Sequence, residues 1–176
     1  MTHQMQALVL SCKVHVEEPL PGARYNAEKL SKFFRRVNVA AECVYGGRLT
    51  FDRAKENMKD FFSSKRDVHI LYGIFHGRAG SWKLSNGKSF GLDEILEQWD
   101  FAKEHGTAQH LLIVSDACES GRMVGEAARM GRTDIAVQTS CDGTNPSFDT
   151  VGETFTVAVE SPGARAELPA RPAHVR

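Results

Sequence analysis

Residues 110–121, His-Leu-Leu-Ile-Val-Ser-Asp-Ala-Cys-Glu-Ser-Gly, are the stretch that decides the fold of this chain. Residues 111–114 form an uninterrupted apolar run, which is typical of a strand buried on both faces of a parallel sheet. Small and polar residues follow at once and surround Cys118. A buried strand that ends in this way carries a thiol to the rim of the sheet, where open α/β sheets bind their ligands.

A second run, residues 68–75, is mostly apolar, has the same design and leads directly into His76 and Gly77. We therefore expect a buried strand that ends at His76. Because the carboxyl ends of parallel strands meet at one edge of a sheet, His76 and Cys118 are expected to lie close together. A thiol beside an imidazole is the arrangement that forms and keeps a thiolate nucleophile.

Strands and amphipathic helices alternate along the rest of the body. Further strands are predicted at residues 7–12, 40–45 and 135–139. This alternation predicts an α/β fold of three layers, α/β/α, in which a mostly parallel sheet of order 2-1-3-4-5 has helices on both faces. Asn26 and Thr50 are predicted to cap two of the helices. Asn86-Gly87 predicts a hairpin just after the histidine.

Charge and cysteine content exclude several classes of protein. The chain of 176 residues has 22 Lys and Arg against 22 Asp and Glu, so its balanced charge favours neither a nucleic-acid nor a membrane partner. No apolar run is long enough to span a bilayer, and the first residues do not resemble a signal peptide. The four cysteines include no Cys-x-x-Cys pair, so no metal is expected. We expect a cytoplasmic protein with reduced thiols.

The end of the chain differs from its body in composition. Residues 161–176 contain three of the six prolines, four alanines and three arginines, with no apolar periodicity. Such a segment cannot bury enough apolar area to offset the entropy of ordering it, so we expect it to be disordered. Residues 1–160 are expected to form one domain.

The two strand ends resemble the caspase-like clan of cysteine peptidases. Caspases proper carry Gln-Ala-Cys-[Arg/Gln/Gly]-Gly. Here residues 116–121 read Asp-Ala-Cys-Glu-Ser-Gly, which is closer to the metacaspase and paracaspase branch. Residues 20–30 resemble the metacaspase stretch Leu-x-Gly-Cys-x-x-Asp-Ala-x-x-Leu, with Ala23 and Asn26 in place of the Cys and the Asp. The likeness runs from about residue 8 to about residue 156, and the domain is expected to be truncated or divergent after the fifth strand.

The resemblance implies a cysteine endopeptidase that needs no cofactor. Cys118 would be the nucleophile and His76 the base that holds it as a thiolate. The backbone N–H groups of Gly77 and Cys118 would form the oxyanion hole. Activation by calcium is a further property that the resemblance alone implies. The partners would be a protein or peptide substrate and regulatory domains.

The resemblance also implies a specificity for basic residues. Asp116 would bind an Arg or Lys side chain that precedes the scissile bond. Asn26 would add an acceptor without a charge, and Ala23 would add no polar group. Cleavage after Asp would instead need arginines, and Arg24 and Arg78 lie in suitable loops. Because Asp116 would repel an acidic substrate, we expect cleavage after Arg or Lys.

A catalytically inactive caspase-like regulatory or interaction module remains an alternative. Cys118 would then be a structural thiol, and Asp116 an acceptor for nearby backbone N–H groups. This alternative is favoured by Ile74-Phe75, which stand where the family usually has Ser-Gly before His-Gly. A nucleotide-binding domain is disfavoured, because no glycine-rich phosphate loop follows the first strand.

Overall fold

A computed structural model of the chain describes residues 4–12, 20–47, 49–106 and 108–144. The strands are β1 Met5–Cys12, β2 Ala40–Gly46, β3 Val68–Ile74, β4 His76–Arg78, β5 Ser81–Lys83, β6 Ser89–Phe90, β7 His110–Asp116 and β8 Ile135–Thr139. The helices are α1 Ala23–Arg36, α2 Phe51–Phe62, α3 Leu92–His105 and α4 Gly121–Met130. None of the helices in this part of the chain has the length and apolar character needed to cross a membrane. The predicted disordered tail, residues 161–176, lies outside the described residues.

The main sheet has five parallel strands in the order β2-β1-β3-β7-β8. This is the predicted order 2-1-3-4-5, so the expected topology is confirmed. Leu8, Leu71 and Ile113 lie side by side across the three central strands and are completely buried. The central strands are mostly apolar because helices cover both of their faces.

Helices cover the two faces of the sheet and form two apolar cores. α1 packs on one face, where its Ala27 and Leu30 contact side chains such as Val9. On the other face, α2 and α3 supply Phe62 and Trp99 to a larger core. The protein therefore has the predicted three-layer α/β/α architecture.

A second sheet, β4-β5-β6, is antiparallel and follows directly after β3. The predicted hairpin at Asn86-Gly87 is confirmed, and Gly87 adopts the positive φ of 76° that such a turn requires. The strand that was expected to end at His76 ends instead at Ile74, and His76 begins β4. That prediction was wrong because pairing of β4 with β5 turns the chain away from the main sheet.

Trp82 of β5 anchors the second sheet to the main sheet. Its indole N–H donates a hydrogen bond of 2.8 Å to the hydroxyl of Ser115 in β7. Its ring stacks on Phe75 with 5.0 Å between the centroids. A Cβ on Gly73 would lie 2.3 Å from the Trp82 ring, so this position of β3 admits only glycine. The small second sheet is thus fixed beside the carboxyl end of β7.

One of the two predicted helix caps is wrong. Thr50 caps α2 as expected, since its hydroxyl accepts a hydrogen bond of 3.4 Å from the N–H of Arg53. Asn26, however, is not a cap, because α1 begins three residues earlier at Ala23. The earlier start places Ala23 and Ala27 on the side of α1 that faces the sheet, where both are completely buried. Asn26 is carried into the first turn of the helix and is also completely buried.

His69 predicts how the stability of the fold depends on pH. Its ring is completely buried, and Phe61 and Trp99 pack against it edge-on at 5.1 and 5.6 Å. Burial lowers the pKa of His69 from 6.5 to about 4. Between pH 6.5 and pH 4, His69 binds a proton in the unfolded chain but not in the folded chain. The free energy of unfolding therefore falls as the pH drops from 6.5 towards 4. The full loss from this group is up to about 3 kcal/mol.

Urea unfolding at pH 7 and pH 4.5 measures this contribution. In His69→Phe, which keeps an aromatic ring in the core, we expect a smaller loss of stability between the two pH values than in the wild type. His110→Gln is the matched control, because His110 is exposed at the start of β7. An unchanged pH dependence in His69→Phe would show that other groups control acid unfolding.

Candidate active site

The site lies where β3 and β7 end side by side. Ile74 of β3 pairs with Asp116 of β7, and the N–H of Phe75 donates a hydrogen bond of 3.2 Å to the carbonyl of Asp116. His76 follows Ile74 by two residues, and Cys118 follows Asp116 by two. The two predicted residues therefore leave adjacent strands at the same level of the sheet. Both side chains are partly exposed.

Gly77 brings the backbones of the two segments into direct contact. A Cβ placed on Gly77 would lie 2.0 Å from the carbonyl oxygen of Cys118 and 2.9 Å from its nitrogen. Both atoms belong to the backbone, so no side-chain rotation could make room. The absence of a side chain at Gly77 allows the segment that carries His76 to touch the turn that carries Cys118.

Residues after β8 support the turn around Cys118 from the other side. The thiol of Cys141 lies 3.1 Å from the carbonyl oxygen of Ala117 and donates a hydrogen bond to it. The hydroxyl of Ser120 is buried and lies 3.5 Å from the same thiol. A Cβ on Gly121 would lie 2.5 Å from the backbone of Asp142, so these two loops are also in contact. Sequence reasoning assigned no such role to Cys141, because its contact with Ala117 requires β8 to lie beside β7.

A further contact joins the two segments at Glu119. The carboxylate of Glu119 accepts a hydrogen bond of 2.9 Å from the backbone N–H of Ala79. Both residues have a φ of 53°, in the left-handed region that favours glycine. The sequence contains no signal for this contact, because neither residue is of a type that usually adopts a positive φ.

Asp116 points to the face of the sheet that α1 covers. It follows Val114 by two residues in β7, and it lies next to Ile74 of β3. Val114 and Ile74 both pack in the core beneath α1. Asp116 is only 7% exposed, and Asn26 on the same face is completely buried.

The predicted binding residues thus share one region of the molecule. Ala23 and Asn26 lie in the first turn of α1, and Ala23 belongs to the core on the face towards which Asp116 points. The hydroxyl of Ser11 is buried on this face as well, because Ser11 pairs with Ile74. Sequence reasoning did not identify Ser11, whose burial depends on β1 and β3 being neighbours.

The two arginines that an acidic substrate would need are both exposed. Arg24 is exposed on α1 and forms an ion pair of 2.7 Å with Glu28, one turn further along the helix. Its hydrogen bond and charge interaction with Glu28 raise the pKa of Arg24. Arg78 is exposed in β4. The side chain of Asp116, by contrast, is buried on the face of the sheet that α1 covers.

No group of three or more His, Cys, Asp or Glu side chains comes together as a set of metal ligands within residues 4–12, 20–47, 49–106 and 108–144. The four cysteines, Cys12, Cys43, Cys118 and Cys141, are all free thiols. Cys12 is buried in the core as a structural thiol, whereas Cys118 is partly exposed.

Replacement of Gly77 by alanine is expected to destabilise the site. The added methyl group would overlap the carbonyl of Cys118, so one of the two backbones must move. We expect the free energy of unfolding to fall by about 2 kcal/mol or more, as is typical when a packed site is overfilled. Urea unfolding measures this loss.

Gly125→Ala is the matched control for Gly77→Ala. Gly125 lies in α4, and a Cβ there would meet no atom within 4 Å. Alanine favours a helix over glycine by up to about 1 kcal/mol, so this variant should be at least as stable as the wild type. Equal stability of the two variants would show that the segments of His76 and Cys118 are not packed as closely as described.

The fold is similar to that of a solved caspase structure. The crystal structure of caspase-1 from Spodoptera frugiperda superposes with a TM-score of 0.65, and the match covers 86% of this chain and 65% of that chain. The sequences are 14% identical, so the likeness concerns the fold alone. No family model matches the chain.

Two curated proteins are similar in sequence over part of the chain. Transmembrane protein 168 of Xenopus laevis is 28% identical over 133 residues, which are 70% of this chain and 19% of that protein. Its counterpart in Homo sapiens is 33% identical over 98 residues, which are 51% of this chain and 14% of that protein. The chain therefore spans less than a fifth of the length of these relatives, and its own architecture is a caspase-like α/β fold.

Proposed function

We propose that this chain is a cysteine endopeptidase of the metacaspase-like type, which cleaves peptide bonds after Arg or Lys. Cys118 is the nucleophile and His76 the general base. Residues 1–160 form the catalytic domain in this proposal. The observation that carries it is the contact between Gly77 and the backbone of Cys118, which brings together the segments that bear a histidine and a cysteine.

The chemistry requires only these two side chains and backbone donors. The thiolate of Cys118 attacks the scissile carbonyl, and the oxyanion that forms is stabilised by the backbone N–H groups of Gly77 and Cys118. The protonated imidazole of His76 gives its proton to the leaving amine as the C–N bond breaks. Water then hydrolyses the thioester, which releases the acid and restores the thiol. No metal or cofactor takes part.

Preference for a basic side chain is proposed from the placement of Asp116. Its carboxylate is buried near the end of β7, two residues before Cys118, where solvent screens charges poorly. An Arg side chain there would form charge-assisted hydrogen bonds, which are stronger than neutral ones. Asn26 adds a polar group on the same face, and Ala23 adds none.

Turnover of a matched set of peptides tests the proposal. The peptides differ only in the residue before the scissile bond, which is Arg, Lys, Asp or Leu. We expect cleavage of the Arg and Lys peptides and none of the other two, with and without added calcium as separate arms. Preference for Asp, or no cleavage of any peptide, would contradict the proposed function.

A second candidate function is an inactive caspase-like module that acts through protein partners. This function is favoured by the lengths of the two curated relatives, of which the chain matches only 19% and 14%. A domain inside a longer protein can serve as a binding unit. Phe75 also supports it, because this residue stands where the family has glycine and is buried against Trp82. The peptide set separates the two functions, since a module of this kind cleaves none of the four peptides. For both candidate functions we propose that the protein is located in the cytoplasm.

A further inference from the structure

Glu119 joins the two segments of the candidate site by a hydrogen bond that the proposed chemistry does not use. Its carboxylate accepts from the N–H of Ala79 at 2.9 Å. Glu119 directly follows Cys118, and Ala79 lies three residues after His76. The bond therefore spans the two segments at the point where their backbones already touch through Gly77.

The backbone is strained at both ends of this hydrogen bond. Glu119 and Ala79 each have a φ of 53°, which residues with a Cβ rarely adopt. Asn38 is the remaining non-glycine residue with a positive φ in the described part of the chain, and asparagine tolerates that conformation. Two unfavourable conformations that meet in one hydrogen bond indicate that this contact helps to hold both of them.

The proposed chemistry assigns no step to the charge of Glu119. What the side chain supplies is an acceptor that reaches the N–H of Ala79.

We propose that Glu119 is a positioning residue, which holds the turn of Cys118 against the segment of His76 and so sets the thiol relative to the imidazole. The part of this inference that concerns catalytic rate rests on the proposed function. The part that concerns the position of the thiol does not.

Two variants of Glu119 separate the hydrogen bond from the charge. Glu119→Gln removes the charge and keeps an oxygen acceptor for Ala79, whereas Glu119→Ala removes both. We expect Glu119→Ala to lower kcat for an Arg peptide about tenfold or more with KM changed less than twofold, as small displacements of reacting groups do. Glu119→Gln should retain kcat within about threefold of the wild type. Glu126→Ala, in α4, is the control for loss of a carboxylate outside this contact.

Alkylation by iodoacetamide at pH 7 gives a readout that needs no peptidase activity. Labelling of Cys118 is followed by peptide mass spectrometry, with Cys43 as the internal reference. If Glu119 positions the thiol beside its base, labelling slows about tenfold in Glu119→Ala and stays at or above the wild-type rate in Glu119→Gln.

The outcomes distinguish this inference from the proposed function. Equal acceleration of labelling in both variants would show that Glu119 acts only through its charge, and wild-type kcat and labelling in Glu119→Ala would show that it has no role. Either result overturns the inference. A wild-type protein that cleaves no peptide overturns the proposed function instead, and the labelling rates still decide whether Glu119 positions Cys118.

Discussion

Cys118→Ala is expected to lower kcat/KM for an Arg peptide by about a thousandfold or more, and His76→Ala to have a similar effect. The variant without Cys118 lacks the atom that forms the thioester. The variant without His76 lacks the group that maintains the thiolate and protonates the leaving amine. Because the two residues act as one unit, the double variant should be little worse than either single variant.

Controls for these variants must show that the fold is kept. Both side chains are partly exposed, so their removal should leave the thermal unfolding midpoint within a few degrees of the wild type. Cys43→Ala and His110→Ala are the matched controls, since Cys43 lies in β2 and His110 at the opposite end of β7 from Asp116. Substantial turnover by a folded Cys118→Ala or His76→Ala protein would exclude the proposed dyad.

Asp116→Asn is expected to remove most of the preference for Arg and Lys. Loss of a buried partner for a charged group costs on the order of 2–5 kcal/mol, which is roughly thirty- to several-thousand-fold in kcat/KM. Asn26, on the same face as Asp116, has no charge to share this role. The measurement is kcat/KM on paired Arg and Leu peptides, which reports the preference rather than the overall rate.

The reverse substitution at Asn26 makes this test sharper. Asn26→Asp adds a second carboxylate on the α1 face and should strengthen the preference for Arg, provided that urea unfolding shows the protein to be folded. Asp93→Asn is the control, because Asp93 is exposed in the first turn of α3. An Arg preference that survives Asp116→Asn unchanged would mean that other residues form the specificity pocket.

The central strands could be predicted from sequence because a strand buried on both faces is rich in apolar residues along its length. Residues 111–114 are apolar without interruption and residues 68–74 are mostly apolar, and their strands occupy the middle of the sheet. The hairpin at Asn86-Gly87 was equally visible, since the turn demands specific residue types. Placement of His76 and Cys118 at one edge then followed from the rule that parallel strands end together.

What could not be predicted depends on contacts between distant residues. The short strand that begins at His76 has no pattern of its own and exists because it pairs with β5. Asn26 is a good cap by type, yet tertiary packing starts α1 earlier and buries it. The contact of Glu119 with Ala79 requires backbone conformations that neither residue type predicts.

The measurement that tests the central claim most directly is labelling of the full chain with a peptide probe. The probe carries Arg next to a thiol-reactive electrophile, and an otherwise identical probe carries Asp. We predict that the Arg probe modifies Cys118 and that the modification is lost in His76→Ala and reduced in Asp116→Asn. Modification of Cys141 or Cys43 instead of Cys118, or equal labelling by the Asp probe, would contradict the assignment of Cys118 and His76 as the dyad of a peptidase specific for basic residues.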